Sequence, residues 1–108
     1  MPGGPAYVRM DPIFIPIIEG SNIKRQLGIT LMIELTEDQV RSDVEARRKQ
    51  LTDAFFRDLY SFFQSTAGKN KRVDQAYLKT RLLHVAERVV GPHQVKEILI
   101  EQFFERSL

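Results

Sequence analysis

Two histidines and a set of scattered carboxylates are the side chains of this sequence that could do metal or acid–base chemistry. His84 lies in a helical pattern and His93 follows a Gly-Pro pair, and neither has a second histidine four residues further on. General acid–base catalysis needs carboxylates that converge in a cleft, whereas these are spread along helical segments beside basic residues. The serines lack a nucleophile signature, the glycines form no phosphate loop, and there is no cysteine. We therefore expect a non-enzymatic protein without a metal or a cofactor.

A polar stretch in the middle of the chain carries charges that could contact a partner instead. Arg47-Arg48-Lys49 and Lys69-Asn70-Lys71-Arg72 are basic runs, but they lack the interleaved aromatic residues typical of nucleic-acid binding. We favour a solvated face for both runs, and the alternative is contact with an acidic partner or with lipid head groups. The candidate contacts on this stretch are Arg41, Glu45, Arg47 and Arg48.

Aromatic residues are concentrated just after the polar stretch. One buried helical stripe would use Phe55, Leu59 and Phe62. Three further rings spread wider than one stripe requires. Core packing explains them in one interpretation, and a subunit contact, where aromatic residues are enriched, explains them in the other. These three additional candidate contacts are Phe56, Tyr60 and Phe63.

Length, composition and charge are those of one folded domain. The chain has 108 residues, of which 43% are hydrophobic, and its 16 basic and 14 acidic side chains give a net charge of +2. This balance does not favour nucleic acid as a partner. No apolar stretch approaches the length of a membrane-spanning helix. We expect residues 1–9 to be a flexible lead-in or linker and residues 10–108 to form a single domain.

Two strands are predicted at the start of that domain. Ile13 to Ile18 is a short apolar run, and Pro16 restricts it to an edge position or a bulge because proline has no N–H to donate. Glu19-Gly20-Ser21-Asn22 has the composition of a hairpin turn. From Ile23 to Leu35 apolar residues alternate with others, interrupted only at Arg25. This alternation predicts a strand with one buried face, which would extend roughly 40 Å.

A long helix is predicted after the second strand. Thr36-Glu37-Asp38-Gln39 matches a capping box, so we expect the helix to begin there and to continue to about Gln64. Its first half, Arg41 to Gln50, is nearly all polar and is expected to leave the core. A break near Leu51-Thr52-Asp53 stays open, because Thr and Asp can begin a second helix.

The remainder of the chain predicts a second helix and a further strand. The helix runs from about Asp74 to Val90 and ends at Gly91-Pro92. Val95 to Phe104 fits either a helix or a strand, and its length and bulky residues favour the strand. The strand's faces would carry Ile98, Ile100, Gln102 and Phe104 on one side and Leu99 and Phe103 on the other. The fold class is therefore α+β, with a small antiparallel sheet packed against two helical segments.

Taken in order, four segments of the chain resemble the periplasmic domain of the flagellar basal-body-associated FliL family. The order and spacing of the segments carry the resemblance, which covers most of the chain from Tyr7 onwards. The chain departs from the family at Lys49, where a proline is usual, and at Ala86, where an asparagine is typical. The four segments are Tyr7-Val8-Arg9-Met10-Asp11-Pro12-Ile13-Phe14, Ile29-Thr30-Leu31-Met32-Ile33-Glu34-Leu35, Leu51-Thr52-Asp53-Ala54-Phe55 with Leu59, and Val95-Lys96-Glu97-Ile98-Leu99-Ile100-Glu101-Gln102-Phe103.

The resemblance implies a stomatin-like periplasmic domain of an inner-membrane protein of the flagellar basal body, as a divergent member or a paralogue. It implies self-assembly into a homo-oligomeric ring and association with the subunits of the stator, the ion-driven unit of the motor. The role implied is support of torque or of stator engagement in bacterial motility. The family's N-terminal membrane anchor is not in this sequence, so contact with the membrane is expected only through such an anchor.

An interaction module or scaffold unrelated to motility is the alternative function. Such a module would bind a peptide by strand addition at an exposed sheet edge. In the family interpretation, the strand with Pro16 closes one side of the sheet. The long strand or the polar half of the first helix then meets the next subunit.

Overall fold

Four strands, three α-helices and one short 3-10 turn make up the regular backbone of the residues that the structure describes. In the computed structural model, residues 6–65 and 73–108 are described, so the basic run at residues 69–72 lies outside the described residues. The strands are β1 (Ala6–Arg9), β2 (Ile13–Glu19), β3 (Asn22–Leu35) and β4 (Val95–Ser107). The helices are α1 (Arg41–Ala46), α2 (Arg48–Gln64) and α3 (Gln75–Val90), and the 3-10 turn Asp38–Val40 precedes α1.

β3 is the central strand of one antiparallel sheet. β1 and β2 lie end to end along one side of β3, with Val8 opposite Ile33 and Ile15 opposite Leu27. β4 pairs along the other side, from Arg25 to Leu35 of β3. The sheet is therefore three strands wide. We call the outer side of β1 and β2 the N-terminal edge, and the outer side of β4 the β4 edge. The predicted α+β class and antiparallel sheet are confirmed.

The N-terminal hairpin is also confirmed. Glu19 pairs with Asn22, so Gly20 and Ser21 form a two-residue turn. Gly20 has a φ of 66°, a conformation that glycine adopts without the steric cost a side chain would add. The apolar residues whose alternation predicted β3 form its buried side. Each is at most 3% exposed, and they are Leu27, Ile29, Leu31, Ile33 and Leu35.

The helices form a second layer on one face of the sheet. α2 packs against β2, while α3 packs against β4 and α2. An ion pair joins the helices, because Arg81 Nε donates to Asp58 Oδ2 at 2.7 Å. That hydrogen bond raises the pKa of Arg81, whose guanidinium also lies 5.2 Å from the Phe62 ring centre. The buried stripe of α2 is Leu51, Phe55, Leu59 and Phe63.

The start of the first helical region differs from the prediction in three respects. The capping box is wrong: the Thr36 hydroxyl donates to the carbonyls of His93 and Gln94, and Glu37 precedes the 3-10 turn without a side-chain cap. The polar half of the helix does not leave the core, because Val44 is fully buried. The helix breaks at Arg47, four residues before the segment where a break was considered.

The expected lead-in is wrong for residues 6–9. These residues form β1, in which Ala6, Val8 and the following Met10 are buried. The pairing partner was missed because β1 joins the far end of β3, after β2 has already paired with its near end. Residues 1–5 lie outside the described residues.

The last two elements agree with the preferred predictions. Asp74 caps α3, since its carboxylate accepts from the backbone N–H groups of Ala76 and Tyr77. β4 is a strand, but one residue, Glu101, bulges between the pairs Thr30–Gln102 and Leu31–Ile100. The bulge changes which residues share a face. The predicted single face with Ile98 and Phe104 together is therefore wrong.

Candidate interaction site

Side chains from the two ends of the α1–α2 region occupy the N-terminal edge. Arg41 Nη1 donates to the Tyr7 carbonyl at 2.6 Å, and Arg48 Nη1 donates to the Arg9 carbonyl at 2.9 Å. The Gln64 amide both donates to the Pro16 carbonyl and accepts from the Ile18 N–H. These three side chains satisfy backbone groups that would otherwise be open to a new strand.

The orientation of Pro16 explains why a proline is tolerated in this strand. In an extended strand the N–H and C=O of one residue point to the same side. The Pro16 carbonyl points outward to Gln64, so its nitrogen also faces away from β3. The missing donor therefore removes no hydrogen bond from the β2–β3 ladder, and the edge position predicted for Pro16 is confirmed.

Arg48 and Glu45 form a charged pair with two hydrogen bonds at this edge. Arg48 donates through Nε and Nη2 to the two carboxylate oxygens of Glu45, at 2.9 and 3.3 Å. The hydrogen bond from Arg48 lowers the pKa of Glu45, and the same bond raises the pKa of Arg48. A two-point pair fixes the guanidinium plane, so Glu45 orients the group that reaches the Arg9 carbonyl.

The other two arginines predicted as contacts also bind within the chain. Arg41 donates through Nε to Asp38 at 3.0 Å in addition to Tyr7. Arg47 Nη1 donates to the Val89 carbonyl at 3.0 Å, near the C-terminal end of α3, where a cation is favoured by the helix dipole. All four charged candidates thus have internal hydrogen bonds while remaining partly accessible to solvent.

The three aromatic candidates separate into two groups. Phe63 is 2% exposed and packs against Phe62 and Phe103, with ring centres 4.9 and 6.1 Å away. Its prediction as a contact is therefore wrong, because the helix turns it directly into the core. Phe56 is 37% exposed and stacks on Tyr60 with ring centres 5.9 Å apart. Tyr60 is partly buried against the core, while Phe56 stays at the surface of α2, and their role as contacts stays a prediction.

A surface cavity of about 630 Å³ adjoins Phe56. One wall is α2, with Phe56 and Thr52, and the other is the start of β2, with Pro12 and Phe14. Acidic and basic side chains, including Asp11 and Lys49, complete its lining. Because Pro12 and Phe14 lie far from α2 in the sequence, this cavity could not be predicted from the helical pattern alone.

The sheet face opposite the helices, which we call the open face, carries a second aromatic contact. Phe14 and Phe104 lie on opposite sides of Gly28 in the pairing register. Their rings meet edge to face, with centres 6.5 Å apart, and are 47% and 44% exposed. A Cβ at Gly28 would come within 2.2 Å of the Phe104 ring, so glycine leaves the space that this ring fills.

The metal and membrane features are stated for the described ranges, 6–65 and 73–108. Within them no group of three or more His, Cys, Asp or Glu side chains could hold a metal ion. None of the helices in those ranges is long and apolar enough to cross a membrane.

No protein-family model matches the chain, and no curated protein matches it.

Proposed function

We propose that this chain is the periplasmic domain of a non-enzymatic accessory protein of the bacterial flagellar motor, similar to the FliL family. In this proposal the protein is held at the inner membrane by an N-terminal anchor and assembles with copies of itself, in a ring. The assembly lies around or beside the stator of the basal body and supports torque or stator engagement.

The observation that carries the proposal is that the segments resembling the family are neighbours in space. Tyr7–Arg9 pairs with one side of β3 at Met32–Glu34, and Glu97–Leu99 pairs with the other side of the same residues. The helix element contributes Leu51, Phe55 and Leu59 to the buried core beneath them. Four separate stretches of sequence thus converge on one folded unit, as segments that preserve a common domain would.

The accessible aromatic surface beside α2 supports a protein–protein role. Phe56, Tyr60 and the adjoining cavity place apolar surface among charged side chains, an arrangement common in interfaces. The four charged candidates already bind within the chain, so we assign the contact with the stator to the Phe56 side of α2.

The test is recovery of the stator with the full-length, anchored protein. The protein is captured from detergent-solubilised membranes of its source cell, and mass spectrometry measures the stator's plug-bearing subunit relative to an unrelated inner-membrane bait. Enrichment supports the motor function. If the bait is intact and the stator is detected in the input without enrichment, the interaction module unrelated to motility takes its place.

Two neighbouring residues of α2 provide a matched pair of variants for this capture. Phe56→Ser removes the exposed ring, whereas Arg57→Ser changes a side chain that is 78% exposed and pairs only with Asp53 among the described ion pairs. We expect Phe56→Ser to lower stator recovery severalfold and Arg57→Ser to leave it unchanged. Equal recovery with both variants would contradict the assignment to the Phe56 side of α2.

A further inference from the structure

The two edges of the sheet differ in whether a new strand can pair with them. Arg41, Arg48 and Gln64 occupy backbone groups of the N-terminal edge. Within residues 6–65 and 73–108, no side chain hydrogen-bonds to the backbone of β4. Lys79 of α3 binds the Glu97 side chain at the beginning of this edge, but the backbone groups along β4 stay open, and such an edge is a template for another strand.

The outward-facing residues of β4 follow from the alternation of backbone hydrogen bonds. The carbonyls of Arg9 and Pro16 point outward, so the β3 residues opposite them do not hydrogen-bond to β1 or β2. Those β3 residues hydrogen-bond to β4 instead, and the β3 residues that alternate with them hydrogen-bond to β1 and β2. Transferred through the β3–β4 register, this alternation turns five backbone positions toward the free edge on either side of the bulge at Glu101. These positions are Ile98, Ile100, Phe103, Glu105 and Ser107.

We infer that two copies of this chain pair through β4, antiparallel and about a two-fold axis next to Glu101. In this register Ile100 lies opposite Phe103 of the second copy, and Ile98 lies opposite its Glu105. All four positions have outward-facing backbone groups, so the N–H and C=O groups of each copy can hydrogen-bond to those of the other. The bulge of one strand faces the bulge of the other, so the extra residues match and the register continues past them.

Side chains on the open face are complementary in the same register. Leu99 meets Phe104 of the second copy, and Glu97 meets its Arg106, each contact occurring twice by symmetry. Glu97 keeps Lys79 at 2.9 Å within its own chain and Arg106 keeps Gln26 at 2.7 Å. A register shift of two residues in either direction separates both the apolar pair and the charged pair.

The position of α3 also permits this arrangement. α3 lines a groove of about 330 Å³ with Lys96, Glu97 and Ile98, at the beginning of β4. Antiparallel pairing sets the beginning of one β4 beside the end of the other, so the two α3 helices lie apart along the ladder. The N-terminal edge is occupied, so sheet-edge pairing joins only two copies. The inference rests on the sheet edges and does not depend on the proposed function, and a ring would have to join further copies through another surface.

Disulfide trapping tests the register directly, because the chain contains no cysteine and an introduced one is its only thiol. Glu97→Cys and Arg106→Cys are prepared as separate variants, mixed at low concentration and then concentrated under mild oxidation. Facing residues of this non-hydrogen-bonded kind have Cα atoms about 4.5 Å apart, within disulfide range. Identical cysteines would lie roughly 30 Å apart, nine residues along the strand.

We expect cross-linked dimers in the mixture and none with either variant alone. About half of the chains should cross-link, since half of randomly assorted two-fold pairs carry one cysteine of each kind. Cross-linking of either single variant to the same extent as the mixture would overturn the register. Absence of cross-linking in the mixture would overturn the pairing.

Sedimentation of proline variants provides an independent measurement. Glu105→Pro removes an outward N–H inside the ladder, and Ser107→Pro removes one beyond it. We expect Glu105→Pro to sediment as a monomer and Ser107→Pro to retain the mass of a dimer, with circular dichroism confirming that both are folded. A monomeric unmodified protein at all concentrations would overturn the inference, as would a dimeric Glu105→Pro protein.

Discussion

The N-terminal edge and the β4 edge belong to the same sheet and flank the same strand, yet they end in different ways. The N-terminal edge is interrupted at Met10–Pro12 and is covered by two arginines and a glutamine from α1 and α2. β4 runs for 13 residues, with one extra residue near its middle at Glu101 and another near its start at Lys96. Side chains hydrogen-bond to backbone groups of the N-terminal edge, whereas the backbone groups of the β4 edge stay available.

This difference shows that an edge can be protected by a helix lying beside it. Arg41 and Arg48 begin α1 and α2, and Gln64 ends α2, so the helices place their terminal side chains at the strand. Long polar side chains at helix ends therefore have a structural role here that a solvated face would not require. The following changes, from the largest expected effect to the smallest, test how the protected edge is maintained.

Phe63→Ala should have the largest effect, because Phe63 is the buried anchor next to Gln64 at the end of α2. Truncation of a buried phenylalanine lowers the free energy of unfolding by about 3–5 kcal/mol. Phe56→Ala on the exposed face should lower it by less than about 1 kcal/mol. Urea denaturation measures both, and similar losses would contradict the separation of the two rings.

Gln64→Leu should cost about 1–3 kcal/mol, the penalty for leaving partly buried backbone groups without a partner. The Pro16 carbonyl and the Ile18 N–H both lose their side-chain partner. Ser61→Leu, at an exposed position one turn earlier, is the control and should change stability by less than about 0.5 kcal/mol. Hydrogen exchange of the Ile18 amide should accelerate only in the Gln64 variant.

Arg48→Met should lower the free energy of unfolding by about 1 kcal/mol, because the Arg9 carbonyl loses a charged donor that water replaces in part. Arg57→Met removes an exposed ion pair with Asp53 and should cost less than about 0.5 kcal/mol. Equal losses in thermal or urea unfolding would mean that Arg48 acts as an ordinary surface charge.

The smallest effect should be a dependence on pH that originates at Glu45. Its pKa in the folded protein lies below 4.5 because of the hydrogen bond from Arg48, so the ionised form stabilises the fold above pH 4.5. The contribution is lost as the pH falls below 4.5 and through the folded-state pKa. Unfolding measured from neutral to acidic pH should show unmodified protein more stable than Glu45→Gln, by under about 1 kcal/mol, with the difference disappearing in acid.

Sequence periodicity predicts much of the fold and less of the site. The alternation of β3, the helix α3 that ends before Gly91-Pro92, and the edge position of Pro16 each follow from local rules, and the structure agrees with them. β1 was missed because its four residues are identified as a strand only through pairing with a distant part of β3. Whether Phe62 or Phe63 fills the core depends on the exact helical phase. The cavity at Phe56 and the Phe14–Phe104 contact need tertiary structure, because they join residues from separate elements.

The bulge at Glu101 has a consequence for how this chain should be aligned with others. Just before the bulge Ile98 and Ile100 face the helices, and after it Phe103 does so while Phe104 lies on the open face. A relative that lacks the extra residue would have the same order of core-facing and open-face residues, with a one-residue gap opposite Glu101. A gapless alignment with such a relative would equate core positions with surface positions along the rest of β4, and similarity between the two proteins would be underestimated there.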